Sequence, residues 1–257
     1  MITPVRLMAA APSVCPLKDS PSTSQAKFSL FGASRPKKPH LIGFCATLTR
    51  YFHPMTTTPL KPAAPATLPR LYVIRHGETE WSRSGQHTGR TDLPLTPTGE
   101  AEARTLAPRL AGLVFDRVYS SPRLRACETC ELAGLGDKIE IEPDLAEWDY
   151  GDYEGLRVEE IRAGRPDWNI YRDGCPHGES PDQIAARADR LIARLRTLTG
   201  TIALFSHGHF SRVLAVRWVD LPVPAAGYFL INTASVGLLT YEQTRSRPVI
   251  GLWNSTK

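Results

Sequence analysis

Two short apolar runs, residues 71–75 and 201–205, each lead straight into a histidine and a glycine, as Arg75-His76-Gly77 and Ser206-His207-Gly208. Runs of this length read as strands, and the helical patterns between them make this an alternating strand and helix chain, the signature of a parallel sheet with helices on its faces. In open sheets of that kind ligands bind beyond the carboxyl ends of the strands, so the two His-Gly turns are expected to face one another there. Glycine after each histidine lets backbone approach a ligand closely. One such histidine would be an ordinary core or capping residue. Two in matching contexts, one preceded by arginine, point to a functional pair.

The spacing predicts an α/β fold, a mostly parallel sheet flanked by helices on both faces. Thr96 caps a helix with Pro97 in its first turn, and Glu100, Ala103, Leu106, Ala107 and Leu110 recur at helical spacing. Further strands are expected at 117–120, 235–241 and 248–253, with helices at 124–133, at 181–198 and after Gly208. Residues 144–180 mix Gly, Pro, Trp and Tyr with charges and read as an irregular insertion holding a short helix near 158–163. Loops of that length inside a compact domain are usually functional.

The first 69 residues are rich in Pro, Ala, Ser and Thr and lack periodicity, so they cannot offset the ordering entropy of a fold. They are expected to be a disordered extension to a domain spanning 70–257. A transit peptide is one alternative, and a start of translation at Met55 another. This segment explains the charge of +5 on 257 residues: five Lys and three Arg stand there against Asp19 alone, a net +7, leaving 23 basic and 25 acidic groups in the remainder, a net −2. The folded body therefore gives no compositional argument for a nucleic-acid-binding surface. No apolar run approaches the roughly 18 residues that span a bilayer, so no membrane partner is expected. Cysteines 15, 45, 127, 130 and 175 are odd in number and do not form a disulfide framework, which suggests a reducing, cytoplasmic setting. Cys127 and Cys130 lack a second pair at zinc-site spacing and are expected to pack within a helix.

Four motifs then carry a resemblance. Arg75-His76-Gly77-Glu78-Thr79 followed by Trp81, the segment Ser121 through Ala126, the segment Leu145 through Gly151, and Ser206-His207-Gly208-His209 together resemble the histidine phosphatase superfamily, also called the phosphoglycerate mutase-like fold. The likeness covers residues 71–253. It implies a nucleophile at His76, phosphate clamps at Arg75 and Arg125, an electrostatic partner at His207 and an acid at Glu147. It also implies substrate contacts at Ser82, Thr88, Gly89, Tyr150, Gly208 and His209.

This set suits phosphoryl transfer. The arginines can clamp nonbridging oxygens with forked donors, while neutral His76 attacks phosphorus and forms a covalent intermediate. A protonated His207 would add a donor to the transferred group. Glu147 would protonate the leaving alkoxide and later activate water. Asp149 is a rival acid two residues away, and an extended segment would place both carboxylates on one face; the resemblance selects Glu147.

The mutase pattern has asparagine where this chain has Ser82, and a longer insertion before the following helix. Here Pro176-His177-Gly178-Glu179-Ser180 resembles the phosphatase branch, and segments 145–155, 173–180 and 205–212 resemble bacterial broad-specificity acid phosphatases, with sugar bisphosphatases close behind. The expected activity is hydrolysis of small phosphate monoesters without metal or cofactor, the partner being a small phosphorylated metabolite, with self-association left open. Mutase-type transfer and a weakly catalytic phospho-ligand-binding module are the alternatives. Arg83, Arg90, Arg157, Arg162, Arg165 and Arg172 are candidates for a second anion on the substrate, of which at most one or two are expected to touch it.

Overall fold

The computed structural model describes residues 68–257; the expectations for the first 67 lie outside the described residues. In chain order the elements are strand β1 (Arg70–Arg75), helices α1 (Glu80–Ser84) and α2 (Pro97–Leu110), strand β2 (Arg117–Ser120), helix α3 (Leu124–Leu132), strand β3 (Ile139–Ile141), helices α4 (Val158–Gly164), α5 (Ile170–Asp173) and α6 (Pro181–Leu195), strand β4 (Thr201–Ser206), helix α7 (Gly208–Trp218), and strands β5 (Val236–Tyr241) and β6 (Pro248–Ser255). They form one six-stranded sheet in the order β3-β2-β4-β1-β5-β6. The pairings of β2 with β3, β2 with β4 and β1 with β4 are parallel, while β5 runs antiparallel to both β1 and β6.

Strands β1 and β4 sit at the centre, and their inner residues, 71–74 and 202–205, are apolar or aromatic because both faces of the sheet are covered. Leu71, Val73, Ile202 and Leu204 point to one side, against Leu191 and Leu195 of α6 and Val213 and Leu214 of α7. Tyr72, Ile74, Ala203 and Phe205 point to the other, against Leu106 and Leu110 of α2 and Cys130 of α3. The period of two along each strand thus feeds two cores. A fully buried aliphatic of this kind contributes about 1.5–3 kcal/mol, so a polar residue at Val73 or Leu204 would breach the sheet's centre.

The helices begin where local chemistry directs. Thr96 accepts from the Gly99 amide with Pro97 in the first turn of α2, and Ser180 and Gln183 form a reciprocal capping box at the start of α6. Helix α6 stops at Leu195 rather than running to 198. The sequence reading did not foresee α1, α5 or β3, each five residues or fewer. Leu68, assigned to the extension from sequence, packs against the first core. Buried Cys130 packs as expected, and the Cys127 thiol donates to the Ser121 carbonyl.

Candidate active site

Register brings the two histidines together. Arg75 lies opposite Ser206 in the parallel β1–β4 pair, so His76 and His207 leave neighbouring strands at the same level. The His76 amide donates to the Ser206 carbonyl at 3.0 Å, and the two rings lie 5.2 Å apart at 60°.

The His76 Nδ1 lies 2.7 Å from the Gly77 carbonyl. A carbonyl only accepts, so Nδ1 carries the proton and Nε2 keeps its lone pair. Burial, then the charges of Arg125 and Arg75, hold this imidazole well below its usual pKa and neutral at pH 7. Gly77 itself serves close packing rather than ligand approach: a Cβ there would meet the Gly99 carbonyl oxygen at 2.4 Å. The glycine of the second pair is different, since Gly208 lines the cleft and its Cβ would stand 3.5 Å from the Arg75 side chain.

His207 is wholly buried, and its Nδ1 accepts from Arg125 Nε at 3.2 Å. A guanidinium only donates, so the ring proton sits on Nε2 and is donated to Ser121 Oγ at 2.7 Å. Burial and the Arg125 charge press its pKa well down. The sequence reading let His207 add a donor if protonated; its partners here fit a neutral imidazole with the proton on Nε2.

The two expected clamps also differ. Arg75 donates from Nη1 to the Ile231 carbonyl at 2.7 Å, and its buried Nε has no partner. Arg125, at the start of α3, donates to the carbonyls of Thr88, Gly89 and Thr91 at 2.9, 3.3 and 3.0 Å. It holds the 88–91 segment against the site and places its charge near His76.

Glu147 is buried at the amino end of α7. Its Oε1 accepts from the Phe210 and Trp148 amides at 2.8 and 2.9 Å, and its Oε2 from the His209 amide at 3.0 Å. The His209 and Phe210 amides belong to the first turn of that helix, which leaves them without an intrahelical partner. The rival Asp149 is turned elsewhere, paired with Arg90 at 2.6 Å and accepting from the Gly151 amide.

A cleft of about 190 Å³ opens here, lined by Arg75, His76, Glu147, Ser82, Thr88, Tyr150, Gly208 and His209 among the residues expected from sequence. Arg125 and His207 stand behind it. Gly89 does too, its amide bonded to the Glu154 carboxylate at 2.9 Å, so its expected substrate contact is not placed there. Ser82 shares its hydroxyl with the Thr79 capping box. None of the six candidate arginines for a second anion lines the cleft; Arg83, Arg90 and Arg172 are tied to Glu80, Asp149 and Asp173.

The cleft also holds Arg212 and His87, which sequence reasoning did not single out. Arg212 follows His209 by three positions on α7, a spacing that puts both on one helical face. It donates to Tyr171 Oη at 3.1 Å, and its buried Nε has no partner. His87 donates from Nδ1 to the Leu156 carbonyl at 2.7 Å and lies 5.8 Å from the His209 ring at 15°. Burial lowers the pKa of both imidazoles. It raises that of Tyr150, whose hydroxyl pairs with His209 Nδ1 at 2.7 Å.

Residues 71–256 match the family described as the histidine phosphatase superfamily (branch 1). The chain is 45% identical over 188 residues to an acid phosphatase of Mycobacterium tuberculosis, covering 71% of this chain and 92% of that one. It is 40% identical over 195 residues to the sedoheptulose 1,7-bisphosphatase of Saccharomyces cerevisiae, covering 62% and 70%. A solved structure of a Mycobacterium tuberculosis open reading frame superposes with a TM-score of 0.67 at 40% identity, covering 72% of this chain and 96% of that one.

Proposed function

The chain belongs to the histidine phosphatase superfamily (branch 1), and on that premise we propose that it hydrolyses small phosphate monoesters through a phosphohistidine formed on His76. The observation that carries this reading is the open Nε2 lone pair of His76, held neutral in the cleft that Arg75 and Glu147 also line. The relatives at 45% and 40% identity bear phosphatase names, whereas those named as probable phosphoglycerate mutases stand at 29% or lower. Hydrolysis is therefore preferred over mutase-type transfer.

In the first step His76 Nε2 attacks phosphorus. The unpartnered Nε–H of Arg75 and the charge of Arg125 offset the negative charge of the transferred group, and Glu147 protonates the departing alkoxide. In the second, Glu147 takes a proton from water as that water attacks phosphorus, the P–N bond breaks and phosphate leaves. His207 acts from behind, its Nδ1 accepting from Arg125 Nε and so helping to orient that guanidinium. Arg212 contacts a second anionic group of the substrate, a phosphate or carboxylate. No step calls on a metal or cofactor, and the described cysteines are buried thiols, in keeping with a cytoplasmic setting. Among the described residues no helix is long and apolar enough to cross a membrane.

The test is hydrolysis of a panel of phosphorylated metabolites in the presence of a chelator. Steady release of phosphate is expected. Turnover that requires added magnesium or zinc, or stoichiometric binding without turnover, would overturn the reading.

A further inference from the structure

We propose that Arg187 and Glu179 act as positioning residues for Glu147, an inference that rests on Glu147 being the proton donor. Residues 146–149 belong to no regular element, so nothing in a helix or strand ladder fixes where the Glu147 side chain begins. Arg187, on α6, supplies what is missing. A guanidinium has five N–H donors, and here five acceptors are in place. Nε and Nη2 fork onto Glu179 Oε1 and Oε2 at 2.8 and 2.7 Å. Nη1 donates to the carbonyls of Asp144 and Ala146 at 2.9 and 2.7 Å, and Nη2 to the carbonyl of Glu147 itself at 3.1 Å.

Glu179 secures the following residues. Its Oε2 accepts from the Asp149 amide at 2.9 Å, and its carbonyl accepts from Trp148 Nε1 at 2.9 Å. Glu147 is thus held twice, its backbone by this pair and its carboxylate by the amides at the start of α7. The two supports touch, because the Arg187 guanidinium lies 4.3 Å over the ring of Phe210, whose amide donates to Glu147 Oε1. Lysine keeps the charge at 187 but has three donors without the planar fork, so it cannot hold all five acceptors.

Position matters at one moment. As the bond from His76 Nε2 to phosphorus forms and the ester P–O bond breaks, the Glu147 proton must pass to the departing oxygen, leaving a carboxylate and a neutral alcohol. An alkoxide needs that proton, and a dinitrophenolate departs without it. A displaced acid therefore slows alkyl esters selectively, whereas general damage to the fold slows both.

The experiment measures kcat/KM, which covers the steps up to the phosphoenzyme, for glycerol phosphate and for 2,4-dinitrophenyl phosphate. It compares the full chain with its Glu147→Gln, Arg187→Lys and Glu179→Gln variants. General acid catalysis is worth about 10²–10⁴-fold, and Glu147→Gln should lose about that much on the alkyl ester alone. Arg187→Lys and Glu179→Gln should lose at least about tenfold on the alkyl ester and keep the activated ester within about threefold, Glu179→Gln being the milder change should Arg187→Lys fold poorly. Selective loss in Glu147→Gln but equal losses on both esters in the other two variants would overturn the positioning role alone. Without selectivity in Glu147→Gln, the assignment of the acid falls and this inference with it.

Discussion

The imidazoles of His76 and His207 lie 5.2 Å apart and carry their protons on opposite nitrogens, Nδ1 on His76 and Nε2 on His207. The partners decide this: a carbonyl takes the proton of one ring, and a guanidinium takes the lone pair of the other. Two motifs that look alike in sequence are therefore chemically unlike, and each difference can be measured.

Removing the nucleophile and removing its neighbour should fail differently. With labelled substrate and an alkaline quench, which preserves phosphohistidine, His76→Ala should accumulate no labelled protein. His207→Ala should still be labelled on the peptide containing His76, but more slowly, because Arg125 loses the acceptor that helps to orient it. Label on the His207 peptide would reverse the assignment.

Arg212 should discriminate between substrates. Among the described residues no carboxylate pairs with it, it lines the cleft, and its buried Nε has no partner within the protein. A hydrogen bond to a charged group is worth about 1.5–3 kcal/mol. Arg212→Ala is expected to raise KM by about tenfold or more for esters bearing a second phosphate or carboxylate, and to leave esters with an uncharged remainder within about threefold. Equal effects on both classes would remove Arg212 from substrate recognition.

The pH dependence follows from four imidazoles, His76, His87, His207 and His209, all held below the ordinary value of 6.5 by burial. In the unfolded chain they take up protons near pH 6.5, while in the folded protein they do not. Stability is therefore complete above about pH 6.5 and is lost as pH falls from there toward the folded-state values, levelling off below them. Melting temperature should fall between pH 7.5 and 5, and less steeply in His87→Asn. The same depression keeps His76 nucleophilic below pH 6.5, so the acidic limb of kcat/KM attributable to it should lie beneath that value. A limb at or above 6.5 would mean that His76 is not shielded as described.

The paired histidines were legible in sequence because apolar runs mark central strands and parallel neighbours end at the same edge. Arg212 was legible in principle, three residues beyond His209 on a helix that was foreseen, but charge alone gave no reason to prefer it over six other arginines. The engagement of Arg125 with the carbonyls of Thr88, Gly89 and Thr91 was not legible, nor was the contact of His87 with the Leu156 carbonyl. Each joins segments more than 30 residues apart through irregular backbone, where no periodicity records who meets whom. Strand β3 was missed for another reason: three residues carry too little pattern to be told from a loop.

The two glycines that follow the histidines provide the last prediction. Gly77 lies against the first turn of α2, where an added Cβ would stand 2.4 Å from the Gly99 carbonyl oxygen, and the Gly77 amide donates to Thr129 Oγ1 at 3.0 Å. The neighbour that the Cβ would meet is backbone, with nothing flexible to yield, so Gly77→Ala should separate β1 from α2 at a cost of about 1–3 kcal/mol. For a domain of this size that is a drop in melting temperature of roughly 2–12 °C. Gly208 has room, its nearest neighbour at 3.5 Å being the Arg75 side chain. Gly208→Ala should melt within about 2 °C of the parent yet turn over more slowly, because its methyl group enters the cleft beside Arg75 and Glu147. Similar melting losses in both variants would show that the second His-Gly turn is as tightly packed as the first.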